Sequence, residues 1–425
     1  MSQSELYVSL DIGSSSIKVL IGEVDGDNLH VIGVGNVQSD GIRKGTIIDI
    51  DATVASIKQA VEQAERMTGL EIQEVVLGIP ANGVQLHDVK GVVAVNSENR
   101  EITDDDLDRV MESAQITPLP AEREIVNLFP QQFIVDDYDE IKDPRGMIGV
   151  RLEMDGTLIT TSKTVLHSIL RCVERAGLMI KEIYLQPLAA GTFALSDDER
   201  NHGTAFVDIG GGSTTIAIYH DNRLIKTSVL PIGGDTVTKD LAIVLETPTE
   251  EARQIKHKYG HAFYEDASDD EMFEVTAVGS DAVERYSQQY IAEIIESRLE
   301  ELFKMVIEEF YHMGVRDLPG GIVLTGGITK LEGLLPLARE VLQTRVRIHV
   351  PSYIGVREPM YTTAVGLIQY AQMEDQFYGI AVESLTATSQ QEPVGQNERY
   401  EKVETDENKE GLVKKARKWI NNFFE

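Results

Sequence analysis

The sequence predicts an α/β protein built from two related halves, and a repeated stretch carries the prediction. Residues 10–19 read LDIGSSSIKV, and residues 207–216 read VDIGGGSTTI. Each is an apolar run that ends in Asp-Ile-Gly, passes through small residues and becomes apolar again, which is typical of strand, tight turn and strand. Because the two stretches lie a domain's length apart, their repetition indicates a duplicated half.

A third stretch supports the same architecture. Residues 320–329 read GGIVLTGGIT, an apolar strand closed by the glycine pair Gly326 and Gly327. A backbone without side chains can lie flat against a purine ring, so this pair is a candidate contact for adenosine.

The repeated turns suit a phosphate ligand. Small residues let backbone N–H groups converge on an anion, and Asp11 and Asp208 at the strand ends suit Mg²⁺ held through water. A single Asp-Ile-Gly-Ser turn is most often an ordinary β-turn, but two facing turns predict a nucleotide clamp.

Bulk composition narrows the function classes. The chain has 425 residues, enough for about two to four domains. Its net charge of −31 argues against general nucleic-acid binding and makes the body repel anionic membranes. Cys172 is the only cysteine, so no intrachain disulfide forms, and its apolar neighbours predict a buried helical thiol.

The sequence shows no recognisable signal peptide or membrane-spanning run, which predicts a cytosolic protein. No apolar run approaches the length that spans a bilayer. Residues 1–5 lack the basic and apolar regions of a signal peptide, so we expect the chain to start and stay in the cytosol.

Periodicity and turn residues predict the element order. Helices are expected over 51–68, 163–176, 247–258, 288–313 and 362–367, with another opened by Pro187, and strands over 74–79, 91–95, 125–128, 132–135 and 182–185. The acidic run 104–106 after Thr103 is interpreted as a capped first helical turn. The two small-residue helices, after Pro187 and over 362–367, predict a crossing that could act as a hinge between the halves; ordinary tight helix packing is the simpler alternative and is compatible with it.

The end of the chain differs sharply from the body. Residues 386–410 are polar and acidic, which predicts a disordered linker. In residues 411–425 the apolar side chains share one helical face and the basic ones occupy the rest; they are Leu412, Val413, Ala416, Trp419, Ile420, Phe423 and Phe424, and Lys414, Lys415, Arg417 and Lys418. This pattern predicts an interfacial membrane anchor; the alternative is a helix that docks on a partner or on the chain's own core.

With these features assembled, the sequence resembles the actin-like ATPase superfamily. Further segments narrow the resemblance to the FtsA family of bacterial cell-division proteins: KGTIID at 44–49, NLFPQQFIVD at 127–136, YGHA at 259–262 and GGIVLTGG at 320–327. The match runs over about residues 5–372 and resumes at the tail.

The resemblance implies an actin-like fold in which one small subdomain is missing and a different one is inserted in the first half. The implied divisions are 1–82, 162–202 and 361–372 for the first half (1A), 83–161 for the inserted α+β subdomain (1C), 203–236 and 311–360 for the second half (2A), 237–310 for a helix-rich subdomain (2B), 373–410 for the linker and 411–425 for the amphipathic helix.

The resemblance also implies a role. A member of this family binds ATP, polymerises and tethers FtsZ filaments to the cytoplasmic face of the cell membrane at the division septum, as a peripheral protein. The FtsZ tail is expected to dock on 237–310 with Arg298 in the contact, and other division proteins are expected at 83–161. The simpler alternative for Arg298 is an ion pair with nearby Glu residues of its own helix.

The nucleotide site implied by the resemblance follows the repeated turns. The phosphate and Mg²⁺ contacts expected are Asp11, Gly13, Ser14, Ser15, Ser16 and Lys18 in the first half, and Asp208, Gly210, Gly211, Gly212, Ser213 and Thr214 in the second, with Gly233, Gly234, Lys256, Gly326 and Gly327 towards adenosine. Arg253 stands where related folds often place a ribose-binding carboxylate, so that contact is not expected here.

Hydrolysis is expected to be slow at most. Gln186 stands where actin-like ATPases place the residue that orients the attacking water. A neutral amide orients water but does not accept its proton, so Gln186 predicts slow turnover.

Two other functions share the fold. A small-molecule kinase is one alternative and a pilus-assembly protein is the other. The amphipathic tail and the FPQQF sequence at 129–133 favour division. The chain has no Walker A loop, HExxH or GxSxG sequence, and His257 with His261 is not expected to bind metal.

Overall fold

A computed structural model describes residues 5–26, 28–279 and 283–378. The predicted amphipathic helix at 411–425 and most of the predicted linker lie outside these residues. The described strands are β1 (Glu5–Ile12), β2 (Ser16–Asp25), β3 (Asn28–Gln38), β4 (Ile42–Arg43), β5 (Thr46–Ile47), β6 (Glu74–Ile79), β7 (Gln85–Ala94), β8 (Arg123–Val135), β9 (Tyr138–Ile141), β10 (Arg151–Ser162), β11 (Met179–Leu185), β12 (Thr204–Ile209), β13 (Thr214–His220), β14 (Arg223–Leu230), β15 (Met272–Thr276), β16 (Val283–Ser287), β17 (Gly321–Thr325) and β18 (Val346–Ile348).

The α-helices connect these strands and cover their sheets. They are α1 (Ile50–Thr68), α2 (Asp104–Gln115), α3 (Lys163–Arg175), α4 (Gln186–Ala194), α5 (Asp197–His202), α6 (Gly234–Val244), α7 (Thr249–Tyr259), α8 (Gln288–His312), α9 (Leu334–Leu342) and α10 (Thr362–Tyr378).

Two five-stranded sheets have the same topology, which confirms the predicted duplication. The first has the order β11-β6-β1-β2-β3, and the second has the order β18-β17-β12-β13-β14. In each sheet the first strand along the chain forms an antiparallel hairpin with the next and pairs in parallel with a later strand. The helices repeat too, because α3 and α4 flank β11 as α9 and α10 flank β18.

Helix α1 shows why its sequence folds as predicted. Asp49 caps its N-terminus by accepting a hydrogen bond from the Ala52 N–H, and Gly69 ends it with φ +72°. Its buried face includes Ile57 and Ala60, which belong to the core of the first half. The predicted span 51–68 is confirmed by the observed Ile50–Thr68.

The inserted module forms a separate small sheet between β6 and α3. Its strand order is β7-β10-β8-β9, and α2 packs on it around its own apolar core. Thr103 and Asp106 form a capping box at the start of α2, as predicted for a capped first turn.

The prediction of two separate strands at 125–128 and 132–135 is wrong. The structure has one strand, β8, which passes through Pro130. The β8–β10 register shifts beside that residue, between Asp155 and Gly156. A bulge accommodates a proline, whose missing N–H would otherwise interrupt the ladder.

The helix-rich segment of the second half leaves the sheet after β14. Helices α6, α7 and α8 form it together with the β15–β16 hairpin. Its core is continuous with that of the second sheet and includes Leu241, Ile255 and Leu299.

Helices α4 and α10 cross where the two halves meet, as their small residues predicted. A Cβ added to Gly366 would lie 2.8 Å from the Ala189 carbonyl oxygen, so only glycine permits this approach. Helix α10 continues to Tyr378, so the prediction that the linker begins at residue 373 is wrong. The extra turn is held by interactions: Asp375 pairs with Lys181 at 2.9 Å.

Cys172 is buried in the first core, as predicted, and burial raises the pKa of its thiol to about 11. None of the described helices has the length and apolar character needed to cross a membrane.

Candidate functional site

A cavity of about 880 Å³ lies between the two halves, at the ends of β1, β12 and β17. The repeated turns face each other across it. Asp11, Asp208 and Gln186 lie in its walls, and the loop with Gly326 and Gly327 contributes another wall. The repeated sequences therefore come together at one site.

The two turns have the same backbone geometry. The Gly13 N–H donates to the Ser16 carbonyl at 3.1 Å, and the Gly210 N–H donates to the Ser213 carbonyl at 3.0 Å. A Cβ on Gly211 would lie 1.7 Å from the Ser15 hydroxyl, so glycine lets the turns approach closely. Small residues thus bring backbone N–H groups from both halves to one place.

Asp11 lies among hydrogen-bond donors. Its Oδ2 contacts the Lys18 Nζ at 3.0 Å, and its Oδ1 accepts a bond from the Gln186 Nε2 at 2.8 Å. Lys18 follows in the same hairpin, directly opposite Asp11 in the β1–β2 register. The hairpin itself therefore positions this ion pair.

Asp208 has fewer partners. The Thr363 hydroxyl, from the start of α10, donates to its Oδ2 at 3.3 Å. Burial, reinforced by the nearby charge of Asp11, raises the pKa of this carboxyl to about 6. The charge of Asp11 disfavours ionisation of Asp208, so a cation bound between the two carboxylates would relieve their repulsion.

This donor set fits Mg²⁺ bound with a triphosphate. The described residues contain no group of three or more His, Cys, Asp and Glu arranged to hold a metal by themselves. Mg²⁺ commonly takes one or two carboxylates and completes its shell with phosphate oxygens and water. Asp11 and Asp208 would supply that pair.

The second half contributes a cation. The Lys256 Nζ donates to the Gly234 carbonyl at 2.9 Å and to the Thr238 hydroxyl at 2.8 Å. Burial lowers the pKa of Lys256 to about 8. Lys256 is thus fixed beside the N-terminus of α6, where a helix favours anions.

Most of the predicted site residues line the cavity. Those that do so are Asp11, Gly13, Ser14, Ser15, Ser16, Lys18, Gln186, Asp208, Gly210, Gly211, Gly212, Ser213, Gly234, Lys256, Gly326 and Gly327. Thr214 and Gly233 do not. The Thr214 hydroxyl turns inward to the Ile232 carbonyl at 2.8 Å, and Gly233 backs against the Gly210 carbonyl.

The structure adds residues that sequence reasoning did not include. Thr215 lines the cavity in place of Thr214, since alternate strand residues face opposite sides. Asp235 accepts a bond from the Ser15 hydroxyl at 2.8 Å and pairs with Arg253 at 3.0 Å. Strand alternation could have indicated Thr215, but the contact between Ser15 and Asp235 joins distant segments and has no local signal.

Arg298 lies away from the cavity, on α8. Its Nε contacts the Asp240 Oδ2 at 2.5 Å, its Nη2 contacts the Asp240 Oδ1 at 3.2 Å, and it also pairs with Glu301. The hydrogen bond to Asp240 raises the pKa of Arg298. The ion pair considered for Arg298 within its own helix is present, together with one to α6.

Comparisons with known proteins agree with this architecture. A family model described as "Cell division protein FtsA" matches residues 205–366, and one described as "SHS2 domain inserted in FTSA" matches residues 81–160. The "Cell division protein FtsA" of Bacillus subtilis is 55% identical over 371 residues, which cover 87% of this chain and 84% of that protein. The chain belongs to the FtsA family. The FtsA of Pseudomonas aeruginosa is 36% identical over 431 residues, covering 100% of this chain and 99% of its own.

Solved structures confirm the actin-like ATPase fold of this FtsA-family chain. A chain of the "PilM-PilN type IV pilus biogenesis complex" has a TM-score of 0.58 at 17% identity, covering 86% of this chain and 98% of its own. MreB5 of Spiroplasma citri bound to ADP has a TM-score of 0.55 at 12% identity, covering 88% of this chain and 98% of its own.

Proposed function

We propose that this cell-division protein binds Mg²⁺ and ATP in the cavity between its halves and attaches FtsZ filaments to the cell membrane at the septum. We infer ATP binding from the pair of facing Asp-Ile-Gly turns around one cavity. The MreB5 structure with ADP supports the same use of the fold.

Each group has a chemical role in the proposed complex. Backbone N–H groups of the turns 13–16 and 210–213, together with Lys18, bind the phosphates. Asp11 and Asp208 hold Mg²⁺ through water. The small loop at Gly326 and Gly327 lies against adenosine, and Lys256 lies towards the ribose or base.

Isothermal titration with ATP tests this site directly. We expect Asp11→Ala and Asp208→Ala each to lower the affinity for ATP in the presence of Mg²⁺ and to have a smaller effect in EDTA. Asp240→Ala, which removes a carboxylate outside the cavity, is the matched control. Unchanged affinity in both cavity variants would overturn the assignment.

Hydrolysis, where it occurs, would depend on Gln186. Its amide nitrogen is engaged by Asp11, so its oxygen is available to orient a water. The described cavity offers no histidine beside Gln186 to take a proton, because His257 lines it from α7 of the other half. This arrangement supports a nucleotide-controlled scaffold with a slow ATPase.

The membrane and FtsZ roles rest on family membership and on the tail sequence. Trp419 and the other apolar residues of 411–425 would enter the interface, and the basic residues would contact anionic lipid. The FtsZ tail would dock on 237–310, where Arg298 would contribute while keeping its pair with Asp240.

Co-sedimentation with anionic liposomes separates these roles. We expect the chain to carry FtsZ into the liposome pellet, and Trp419→Asp to abolish this while leaving FtsZ binding in solution intact. Asn421→Asp adds the same charge on the polar face and serves as the control. Equal recruitment by Trp419→Asp and the parent chain would refute the tether.

Self-association completes the proposal. Filament formation is expected from the family, and the solved "MamK double helical filament" has the same fold at a TM-score of 0.50 and 15% identity, covering 86% of this chain and 98% of its own. Sedimentation with ATP, compared with EDTA, tests whether nucleotide controls assembly. The inserted module at 83–161 is the proposed site for other division proteins.

A further inference from the structure

The FPQQF segment, residues Phe129 to Phe133 of β8, takes no part in the proposed nucleotide site. It nevertheless contacts both halves of the molecule. Its two aromatic rings meet α10, and the side chain of Gln131 meets the second half. These contacts place the inserted module at a junction.

The aromatic contacts hold α10 at two places. The Phe129 ring lies 6.3 Å from the Tyr370 ring, and the Phe133 ring stacks on Phe377 at 6.5 Å with an interplanar angle of 10°. Arg145, also in the module, lies 5.0 Å from the centre of the Phe377 ring and donates to the Phe377 carbonyl. The module therefore packs against the last two turns of α10.

The polar contact joins the module to the second half. The Arg223 Nη1 donates to the Gln131 Oε1 at 2.6 Å, across the boundary between β14 and β8. The Gln131 Nε2 donates to the Thr157 hydroxyl at 2.6 Å within the module. Thr157 thus fixes the amide so that its oxygen faces Arg223.

Of the two elements that the segment touches, α10 begins at the cavity, and β14 is joined to the cavity through the neighbouring strand β13. Helix α10 starts where Thr363 donates to Asp208, and its length is about 25 Å. Strand β13 starts directly after the turn 210–213, runs about 24 Å and leads through a short turn to Arg223. The FPQQF segment therefore contacts α10, which begins beside Asp208, and the start of β14, which a hairpin with β13 joins to the turn 210–213.

We propose that the FPQQF segment couples the nucleotide in the cavity to the position of the inserted module. The inference rests on the proposed binding of ATP. A ligand that shifts the second half relative to the first must either carry the module with it or break the contact between Arg223 and Gln131. By linkage, weakening that contact must also change nucleotide affinity.

A distance measurement tests the coupling in the full chain. Nitroxide labels on Tyr138→Cys in the module and Ile243→Cys in the second half are both at exposed positions, and Cys172 is buried and hidden from the reagent. We expect Mg²⁺ and ATP to shift or narrow the distance distribution measured by pulsed electron resonance. In Gln131→Ala the distribution should no longer respond, and the affinity for ATP should change by about fivefold or more.

Gln132→Ala is the matched control, because this neighbouring glutamine bonds Asp155 within the module and not the second half. It should keep the response of the parent. Titration calorimetry on the same samples separates the outcomes. Bound ATP without any change in distance in the parent, or an unchanged response in Gln131→Ala, overturns the coupling. Absence of ATP binding overturns the proposed function first, and the coupling with it.

Discussion

Asp11 and Asp208 hold equivalent places in the two repeats, but their surroundings differ. Asp11 has Lys18 and Gln186 as partners, whereas Asp208 has the Thr363 hydroxyl. With the weaker set of donors, Asp208 keeps a carboxyl pKa raised to about 6 by burial and by the charge of Asp11. The duplicated sequence thus contains two carboxyl groups in unlike environments.

The raised pKa predicts that ATP affinity in the presence of Mg²⁺ increases as pH rises through about 6. In the proposed site Mg²⁺ would need the ionised carboxylate, so its binding would be coupled to loss of the proton from Asp208. Calorimetric titrations at pH 5 and pH 7.5 should show an increase in ATP affinity that is larger than the change caused by the ionisation of ATP itself. Asp208→Asn should remove this part of the pH dependence, and an equal dependence in that variant would contradict the prediction.

Stability without nucleotide should change in the opposite sense. The folded pKa of Asp208 exceeds its ordinary value of 3.8, so the folded state binds more protons between about 4 and 6, and the free energy of unfolding falls as pH rises through that window. Asp208→Asn should therefore raise the free energy of unfolding at pH 7 by about 1–2 kcal/mol after allowance for solvent screening, and the Tm should rise with it. Urea unfolding of Asp208→Asn and of the parent at pH 5 and pH 7 checks the sign, because the gain in the variant should be larger at pH 7.

Gln186 offers a kinetic prediction at the same scale. Gln186→Ala should lower the rate of ATP hydrolysis roughly tenfold or more, since the orientation of the water is lost. Phosphate release at saturating ATP measures this rate. Equal rates in the variant and the parent would remove Gln186 from the mechanism.

At the scale of elements, the crossing of α4 and α10 depends on Gly366. A Cβ there would meet Ala189 and Ala190 backbone atoms within 3.0 Å. Gly366→Val should therefore lower the free energy of unfolding by about 1–3 kcal/mol or force the helices apart. Met373→Val introduces the same side chain at an exposed position of α10 and should cost less. Thermal unfolding of both variants makes the comparison; equal losses would show that the crossing is not tightly packed.

Local signals predicted most elements because caps and periodicity act over a few residues. Thr103 and the apolar periodicity from residue 51 predicted helix starts that the structure shows within one residue. Pro130 misled the prediction, because the bulge that accommodates it depends on the partner strand β10. The extension of α10 to Tyr378 was missed for a similar reason: its last turn is held by distant residues such as Lys181 and Arg145.

At the scale of the whole molecule, the site was predictable where the chain repeats itself. The two turns and the glycine loop at 326–327 carry their own signal in the sequence. The bond from Ser15 to Asp235 and the bond from Arg223 to Gln131 join segments far apart in the chain, so only the assembled fold reveals them. Function beyond the cavity was reached through resemblance to a family.

An acidic body with a basic tail predicts salt-sensitive membrane binding. In the proposed anchor each basic residue of 411–425 would contribute about 1 kcal/mol near an anionic surface, so replacing Lys414 and Lys415 by Gln should weaken vesicle binding by roughly tenfold or more. The loss should shrink at high salt. Vesicles of zwitterionic lipid are the control, and the same loss on them would show that charge is not the cause.

The repeated topology of the two sheets bears on how such a clamp could arise. A single ancestral half, with one sheet and one Asp-Ile-Gly turn, would have formed the same cavity only by pairing with a second copy around a two-fold axis. Fusion of two such copies would free each half from having to match the other. In the present chain one half carries a module between β6 and α3, and the other carries helices between β14 and β17. Joining the halves in one chain therefore permits differences that a symmetric pair of identical chains would not.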